Sequence, residues 1–120
     1  MKSKSRLEEF SIAVDKCFAF LSQYAYRQAE TVSYCDRFGS VRFEAPDRPS
    51  IYISWDAYDG SLNVELGGRD VWDMLAADGL WYTGRGYQGF AVEAMQHGLD
   101  RIEKFLMARP QLLERYVPPN

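Results

Sequence analysis

The sequence has little histidine and cysteine, which supply many zinc ligands and catalytic groups. It has one histidine and two cysteines among 120 residues. The patterns HExxH, HxE and CxxC, which would supply zinc ligands at the required spacing, do not occur, and neither does the G-x-S-x-G elbow of serine hydrolases. We therefore expect no metal centre and no cofactor. Cys17 and Cys35 lie among apolar neighbours, which predicts two reduced thiols in the core.

Long apolar runs and an excess of basic residues are also missing. A membrane helix needs roughly 18 to 20 consecutive apolar residues, and a charged residue interrupts every apolar segment of this chain. Before Glu8 there are basic residues but no apolar stretch typical of a signal peptide. The formal net charge of -3 and the pI near 5.1 provide no general attraction to nucleic acid or anionic membranes. We expect a cytoplasmic protein that binds neither and is a monomer or a weak homodimer.

The length and apolar content predict one domain covering residues 1–120. Domains usually run about 100 to 200 residues, and an apolar fraction of 47% is typical of a domain with a core. Near the start, Ser5 followed by Glu8 matches a capping box. Apolar residues at three- and four-residue steps then predict a helix over about residues 6–26, namely Leu7, Phe10, Val14, Cys17, Phe18, Leu21, Tyr24 and Ala25.

In the middle third of the chain the apolar period changes to two, which is typical of half-buried strands. Turn residues separate the strands at Phe38-Gly39-Ser40, at residues 46–49 and at Asp59-Gly60, the last being a strong hairpin signal. The pattern predicts a four-stranded antiparallel meander, with Thr31 to Arg37 as its least certain strand. Its inward-facing residues are expected to be Val41, Phe43, Ile51, Ile53, Trp55, Leu62, Val64 and Leu66.

Helices are predicted again after Gly67-Gly68. Asp70 can cap a short helix that Asp78-Gly79 ends. A longer helix follows Gly89, and Pro110 suits the first turn of a closing helix. The apolar stripe of the longer helix is Ala91, Met95, Leu99, Ile102 and Leu106. The sequence thus predicts an α+β fold with an N-terminal helix, a four-stranded antiparallel meander and C-terminal helices packed on one face of the sheet.

The segment Gly84-Arg85-Gly86-Tyr87-Gln88-Gly89 matches the G-x-G-x-x-G pattern of dinucleotide-binding loops. A dinucleotide site also needs a following parallel strand with an acidic residue about 20 residues further on, and here only helices are predicted to follow. A loop that enters a helix is therefore the favoured interpretation. The alternative is a small ligand-binding domain, in which this loop binds an anion with help from Arg85, Glu93 and His97.

Acidic residues are concentrated in the middle of the chain. Between Glu44 and Asp78 there are eight acidic and two basic residues, and Tyr58 and two tryptophans lie in the same block. Carboxylates with aromatic anchors suit a basic protein partner, since opposite charge raises the association rate and aromatic residues often dominate binding energy. The alternative is that the acids are solvated turn and cap residues, while Trp55 and Trp72 belong to the core, as their spacing indicates.

The stretch VRFEAPDRPSIYISWDAYDGSLNVELGG, followed by two or three helices, resembles small bacterial immunity proteins of contact-dependent growth inhibition and other polymorphic-toxin systems. The resemblance covers about half of the chain and rests on size, on the strand pattern from Val41 to Leu66 and on the helical tail. It implies a cytoplasmic, non-enzymatic protein that binds a cognate toxin domain, often a nuclease, and blocks its active site or substrate groove.

The acidic hairpin and the helix cap that follows it are the candidate partner-binding surface. A nuclease presents a positive groove to phosphates, and an inhibitor must cover it with about 800 Å² per partner. Carboxylates would pair with Lys or Arg of the toxin, and Tyr58 would be an anchor. The candidate residues are Asp56, Tyr58, Asp59, Glu65, Asp70 and Asp73. A third possibility is a regulatory subunit that binds through an apolar helix face with little salt dependence.

Overall fold

In the computed structural model of the chain, the described residues are 5–80, 87–88 and 92–114. The first helix, α1 (Arg6–Cys17), begins as its capping signal predicts. The hydroxyl of Ser5 accepts a hydrogen bond from the backbone N–H of Glu8 at 3.1 Å, which satisfies one of the N–H groups that a helix leaves unpaired at its start.

The α-helix ends well before residue 26, where the apolar spacing predicts its end. After Cys17 the chain continues as a 3-10 helix over Ala19–Tyr24, and Ala25 then adopts a left-handed conformation with a φ of 66°. The ring of Phe18, at the break, lies 6.0 Å from the ring of Phe43 in the sheet, measured between centroids. Packing of this aromatic pair across elements outweighs the helical period of the local sequence.

Within the described residues, five strands of the sheet pair in chain order, all antiparallel, rather than the predicted four. They are β1 (Arg27–Tyr34), β2 (Phe38–Glu44), β3 (Ile51–Asp56), β4 (Ser61–Leu66) and β5 (Arg69–Asp70), and a further two-residue strand, β6 (Tyr87–Gln88), also pairs with β4. The extra strand β5 has a simple cause. Gly67 and Gly68, which predict the end of the sheet, both have positive φ and form a tight turn, so that the chain pairs straight back onto β4.

The cross-strand register divides the sheet into a buried inner face and an outer face. Val41, Ile53 and Val64 lie opposite one another on the inner face, and each is at most 2% exposed. Residues that lie directly opposite each other on paired strands share a face of the sheet. Because side chains also alternate along each strand, this pairing assigns each remaining residue of β2 to β5 to the inner or the outer face. The eight predicted inward residues are all buried. The outer face of the sheet from β2 to β5 consists of Phe38, Ser40, Arg42, Tyr52, Ser54, Asp56, Ser61, Asn63, Glu65 and Asp70.

Three helices follow β5: α2 (Val71–Ala77), α3 (Val92–Met107) and α4 (Gln111–Glu114). The predicted short helix and closing helix are thus present. The predicted stripe of the long helix is buried at Met95, Leu99, Ile102 and Leu106, while Ala91 lies outside the described residues. Buried residues of the four α-helices join those of the inner face in one core. The fold is therefore α+β with an antiparallel sheet, as predicted.

Candidate protein-binding surface

Three of the six predicted partner-binding residues lie on the outer face along β4. Asp56 is opposite Ser61 at the start of β4, and Glu65 near the other end is opposite Asp70 in β5. A strand rises about 3.4 Å per residue, so Ser61 and Glu65, four residues apart in β4, are separated by about 14 Å along the strand. Strand pairing therefore places Glu65 and Asp70 side by side and Asp56 at the far end of the same face, and these three residues are called the row below.

The β3–β4 turn contributes two more of the predicted residues and is built by its own carboxylates. An Asp56 Oδ1 atom accepts hydrogen bonds from the backbone N–H groups of Tyr58 at 2.8 Å and Asp59 at 3.2 Å. The Asp59 carboxylate in turn accepts from the N–H of Ser61 at 2.8 Å. Gly60, at a φ of 82°, completes the turn. The predicted hairpin is confirmed, and Asp56 is part of its construction.

Hydrogen bonds also lower the pKa of one carboxyl group in this turn, that of Asp59. The backbone N–H of Ser61, followed by its hydroxyl, holds the pKa of Asp59 below its usual value, and the charge of Arg37 acts in the same direction. Asp59 is exposed. The carboxylate is therefore negatively charged and open to solvent over the neutral pH range.

Tyr58 is the most exposed of the large hydrophobic residues in the described part of the chain, at 70%. Arg37, in the turn between β1 and β2, places its guanidinium carbon 4.2 Å from the centroid of the Tyr58 ring. Such a cation–π contact at an exposed site contributes about 0.5 to 1 kcal/mol. It orients the ring while leaving most of its surface to a partner.

Asp70 and Asp73 are positioned by α2. The Asp70 carboxylate accepts a hydrogen bond from the N–H of Trp72 at 2.8 Å and caps the helix, and Asp73 lies exposed in its first turn. The buried indole of Trp72 donates to the backbone oxygen of Leu62 at 3.0 Å. This bond joins α2 to β4, and Asp73 follows Asp70, the last member of the row, by three residues along the chain. The six predicted residues are called the acidic surface below.

The other side of the outer face, over β1 and β2, carries charges of both signs. The guanidinium of Arg42 lies 3.4 Å from a carboxylate oxygen of Glu30 and 3.4 Å from one of Glu44. Exposed pairs of this kind contribute little to stability. They place Arg42 between two acids of its own side, Glu30 in β1 and Glu44 in β2.

A group of apolar residues that the sequence pattern does not predict lies at the end of the outer face next to Asp56. Tyr34 in β1 is opposite Phe38 in β2, which is opposite Asp56 in β3. Tyr34 is 64% exposed and Val32, on the same side of β1, is 42% exposed. The alternation of Val32 and Tyr34 with Thr31 and Ser33 was the signal that could have found them. This alternation alone does not show which face of the sheet Val32 and Tyr34 occupy, because that depends on how the strand pairs with β2.

Other predictions concerned residues away from this surface. Trp55 and Trp72 are buried, at 0% and 1% exposure, which confirms their predicted place in the core. Cys17 is a buried free thiol as predicted, but the prediction of a core position is wrong for Cys35. Cys35 and Asp36 both have positive φ in the β1–β2 turn, which directs this segment to the surface.

The alternative anion-binding loop, Gly84 to Gly89 with Arg85, lies outside the described residues except for the backbone of residues 87–88. Glu93 and His97 are exposed on α3, on the solvent side that the helical period predicts. Within residues 5–80 and 92–114, no group of three or more His, Cys, Asp or Glu side chains is arranged to hold a metal ion. Each helix in the described part of the chain is too short or too polar to cross a membrane.

Comparison of the chain with protein-family models, with curated proteins and with solved structures finds no match.

Proposed function

We propose that the protein is an immunity protein, which binds and neutralises a cognate toxin domain through the acidic surface. The observation that carries the proposal is the row formed by Asp56, Glu65 and Asp70 on the outer face, with the exposed ring of Tyr58 at one end. The resemblance of the β2–β4 segment to immunity proteins supports the same function. A basic, nuclease-type toxin is the expected partner, and the cytoplasm is the expected place of action.

Charge supports a basic partner. A nuclease groove that binds phosphates is lined by Lys and Arg, and carboxylates spaced over about 14 Å of β4 match several such residues at once. Opposite charge accelerates encounter and aligns the two surfaces. A buried carboxylate without a cationic partner would be strongly unfavourable, so the same residues disfavour acidic or apolar partners.

The carboxylates are also held in place before binding. Asp56, Asp59 and Asp70 each use one oxygen to accept a backbone N–H. A carboxylate has a second oxygen with its own lone pairs, which can accept from a toxin Lys or Arg. Because these side chains are already ordered, binding loses less conformational entropy at them than at free side chains.

The first step of the test is to find a neighbouring gene for a large secreted protein, and its absence would contradict the proposal. Binding of the purified protein to the C-terminal domain of that secreted protein is then measured over a series of salt concentrations. We expect tight binding at low salt, weaker binding as salt rises, and loss of the domain's toxicity when both are expressed together. Salt-independent binding would favour a regulatory subunit that uses an apolar face. No binding, or no rescue from toxicity, would contradict the proposal.

A further inference from the structure

The edge strand β1 is open on both faces and along its free side. It is first in the strand order, it pairs with β2 alone among the described strands, and all eight of its residues are exposed. Edge strands present unpaired backbone N–H and C=O groups that can accept an added strand. Proteins protect such edges with proline, charge or bulges, and β1 has a bulge between Gln28 and Glu30. The segment from Thr31 to Tyr34 has none of these protections and keeps a regular register with β2.

A groove of about 540 Å³ lies beside this segment, between β1 and α1. Thr31 and Ser33 are on the inner face by register, opposite Val41 and Gly39, yet both are exposed, so α1 does not cover them. The apolar wall of the groove includes Phe10 from α1 and Val41 from β2. An extended strand added to β1 would therefore direct alternate side chains into a partly apolar groove.

The rim of the groove is acidic. Glu8, in the first turn of α1, and Asp36, in the β1–β2 turn, both line it, and the described lining residues include no Lys or Arg. Asp36 accepts a hydrogen bond from the N–H of Leu7 at 3.3 Å, which holds its carboxylate at the start of α1. An apolar wall below two carboxylates matches a side chain with an apolar stem and a cationic end, which is Lys or Arg.

We propose that the Thr31–Tyr34 segment of β1 is a second binding site, which pairs with an extended strand of a partner protein and takes a Lys or Arg side chain of that strand into the groove beside Glu8 and Asp36. The site lies at the edge and inner side of the sheet, separate from the acidic surface, and it does not depend on the immunity function. The partner class is a basic protein segment in extended conformation.

A second copy of the chain fits this groove poorly. Paired antiparallel through β1, it would present its own Thr31 and Ser33 on the inner side, and these short hydroxyl side chains carry no positive charge. It would also bring a second Glu8 and a second Asp36 to the same edge. Charge complementarity therefore favours a basic partner over a homodimer.

The probe is a short fluorescein-labelled peptide in which lysine and threonine alternate, compared by fluorescence anisotropy with a peptide that has glutamate in place of lysine. We expect the lysine peptide to bind at least about tenfold more tightly. Backbone N-methylation of the peptide should abolish binding, since it removes the N–H groups that pair with β1. Amide NMR shifts should change at residues 31–34. Equal affinity of the two peptides, equal binding after N-methylation, or no binding at about 1 mM peptide would overturn the proposal.

Two variants test whether Glu8 and Asp36 cause the preference for the lysine peptide. Glu8→Gln with Asp36→Asn removes both rim charges, and Asn retains an acceptor for the Leu7 N–H and tolerates the positive φ of residue 36. This variant should lose the preference for the lysine peptide. Glu9→Gln, in the same turn of α1 but not among the groove residues, should retain it. If the double variant still prefers the lysine peptide, the proposed role of Glu8 and Asp36 in binding the basic side chain would be contradicted.

Two further measurements distinguish this site from the acidic surface and from a homodimer contact. Glu65→Lys on the acidic surface should leave peptide binding unchanged, so failure of the immunity proposal does not remove this one. Analytical ultracentrifugation should show no dimer at the concentrations used for the peptide. A dimer that the peptide dissociates would identify a second copy as the occupant of β1 and overturn the choice of a basic partner.

Discussion

The guanidinium of Arg37 lies over the ring of Tyr58, with its carbon 4.2 Å from the ring centroid. The two residues belong to different turns, one joining β1 to β2 and the other joining β3 to β4. The contact therefore joins two turns at one end of the sheet and holds the most exposed large hydrophobic side chain of the described residues in one orientation. An ordered, exposed aromatic ring beside Asp56 and Asp59 is a suitable anchor for a partner.

Replacing Tyr58 separates binding from stability. Because the ring is 70% exposed, Tyr58→Ala should change the free energy of unfolding by no more than about 1 kcal/mol, including the lost cation–π contact. If Tyr58 anchors the toxin, the same change should weaken binding at least about tenfold. Urea unfolding and isothermal titration calorimetry measure the two effects.

Met107→Ala is the matched control for this prediction. Met107 is also a large exposed apolar side chain, at 53%, but it lies at the end of α3 rather than on the outer face. Met107→Ala should change neither the free energy of unfolding nor the free energy of binding by more than a few tenths of a kcal/mol. Equal effects of Tyr58→Ala and Met107→Ala on binding would show that Tyr58 is not an anchor.

Asp70 should contribute to stability through its capping bond to the Trp72 N–H. Loss of an N-cap costs about 1 kcal/mol, so Asp70→Ala should lower the free energy of unfolding by about that amount. Asp70→Asn, which retains the acceptor, should lower it by a few tenths. Asp73→Ala, in the same turn but without a capping bond, should also have a small effect. Chemical denaturation measures all three, and an Asn variant as unstable as the Ala variant would contradict the capping role.

Stability should fall at alkaline pH because of Tyr26. Burial raises the pKa of its hydroxyl from 10 to about 12, against a smaller lowering by Arg48, and the hydroxyl donates to the backbone oxygen of Pro49 at 2.6 Å. Because the pKa is raised in the folded state, the stabilising contribution of the Tyr26 hydroxyl is fully present below about pH 10 and is lost as the pH rises toward 12. Burial, followed by the charge of Glu103, also raises the pKa of Cys17 from 9 to about 11, so this thiol adds a second loss of stability that begins at about pH 9 and ends near pH 11.

Tyr26→Phe tests this pH dependence. The variant should be less stable by about 1 kcal/mol at neutral pH, because a buried hydrogen bond is removed. Its stability should fall less steeply than that of the wild type between pH 10 and 12, and Tyr26→Phe combined with Cys17→Ala should fall less steeply still. Urea unfolding at a series of pH values gives the slopes. Parallel curves for wild type and Tyr26→Phe would rule out Tyr26 as a source of the alkaline loss.

Gly39 permits the close approach of α1 to β2. A Cβ atom added there would lie 3.1 Å from Phe10 Cδ2 and 3.2 Å from Leu7 Cδ2. Gly39→Ala should therefore destabilise the fold by about 1 kcal/mol through overpacking. In a Leu7→Ala background, where one of these contacts is absent, the same substitution should be less harmful. A penalty that is unchanged by Leu7→Ala would show that the Leu7 contact does not limit this position.

The regular parts of the fold could be predicted because short-range patterns determine them. Ser5 and Asp70 are caps whose partners lie within three residues along the chain, and the inward strand residues follow a period of two. The break after Cys17 and the exposure of Cys35 depend instead on contacts and turns that form only in the folded sheet. The same apolar spacing that predicts one long helix is compatible with a helix that breaks where Phe18 meets Phe43.

The candidate site was predictable in composition but not in arrangement. The acidic block identified Asp56, Glu65 and Asp70, but only the register shows that they share one face. Tyr34 was missed because it joins this face through pairing with Phe38, a contact between segments that local patterns do not specify. The groove beside β1 was missed for the same reason, since it depends on where α1 stops covering the sheet.

The most direct test of the proposed function is the rate of association with the toxin domain, measured by stopped-flow at low salt for two double variants. Glu65→Lys with Asp73→Lys reverses two charges of the acidic surface and leaves the hydrogen bonds of the turn and cap intact. Asp15→Lys with Glu93→Lys makes the same change in net charge on exposed positions of α1 and α3. We predict that the first variant slows association at least about tenfold and the second much less. Equal rates for the two variants would contradict the account.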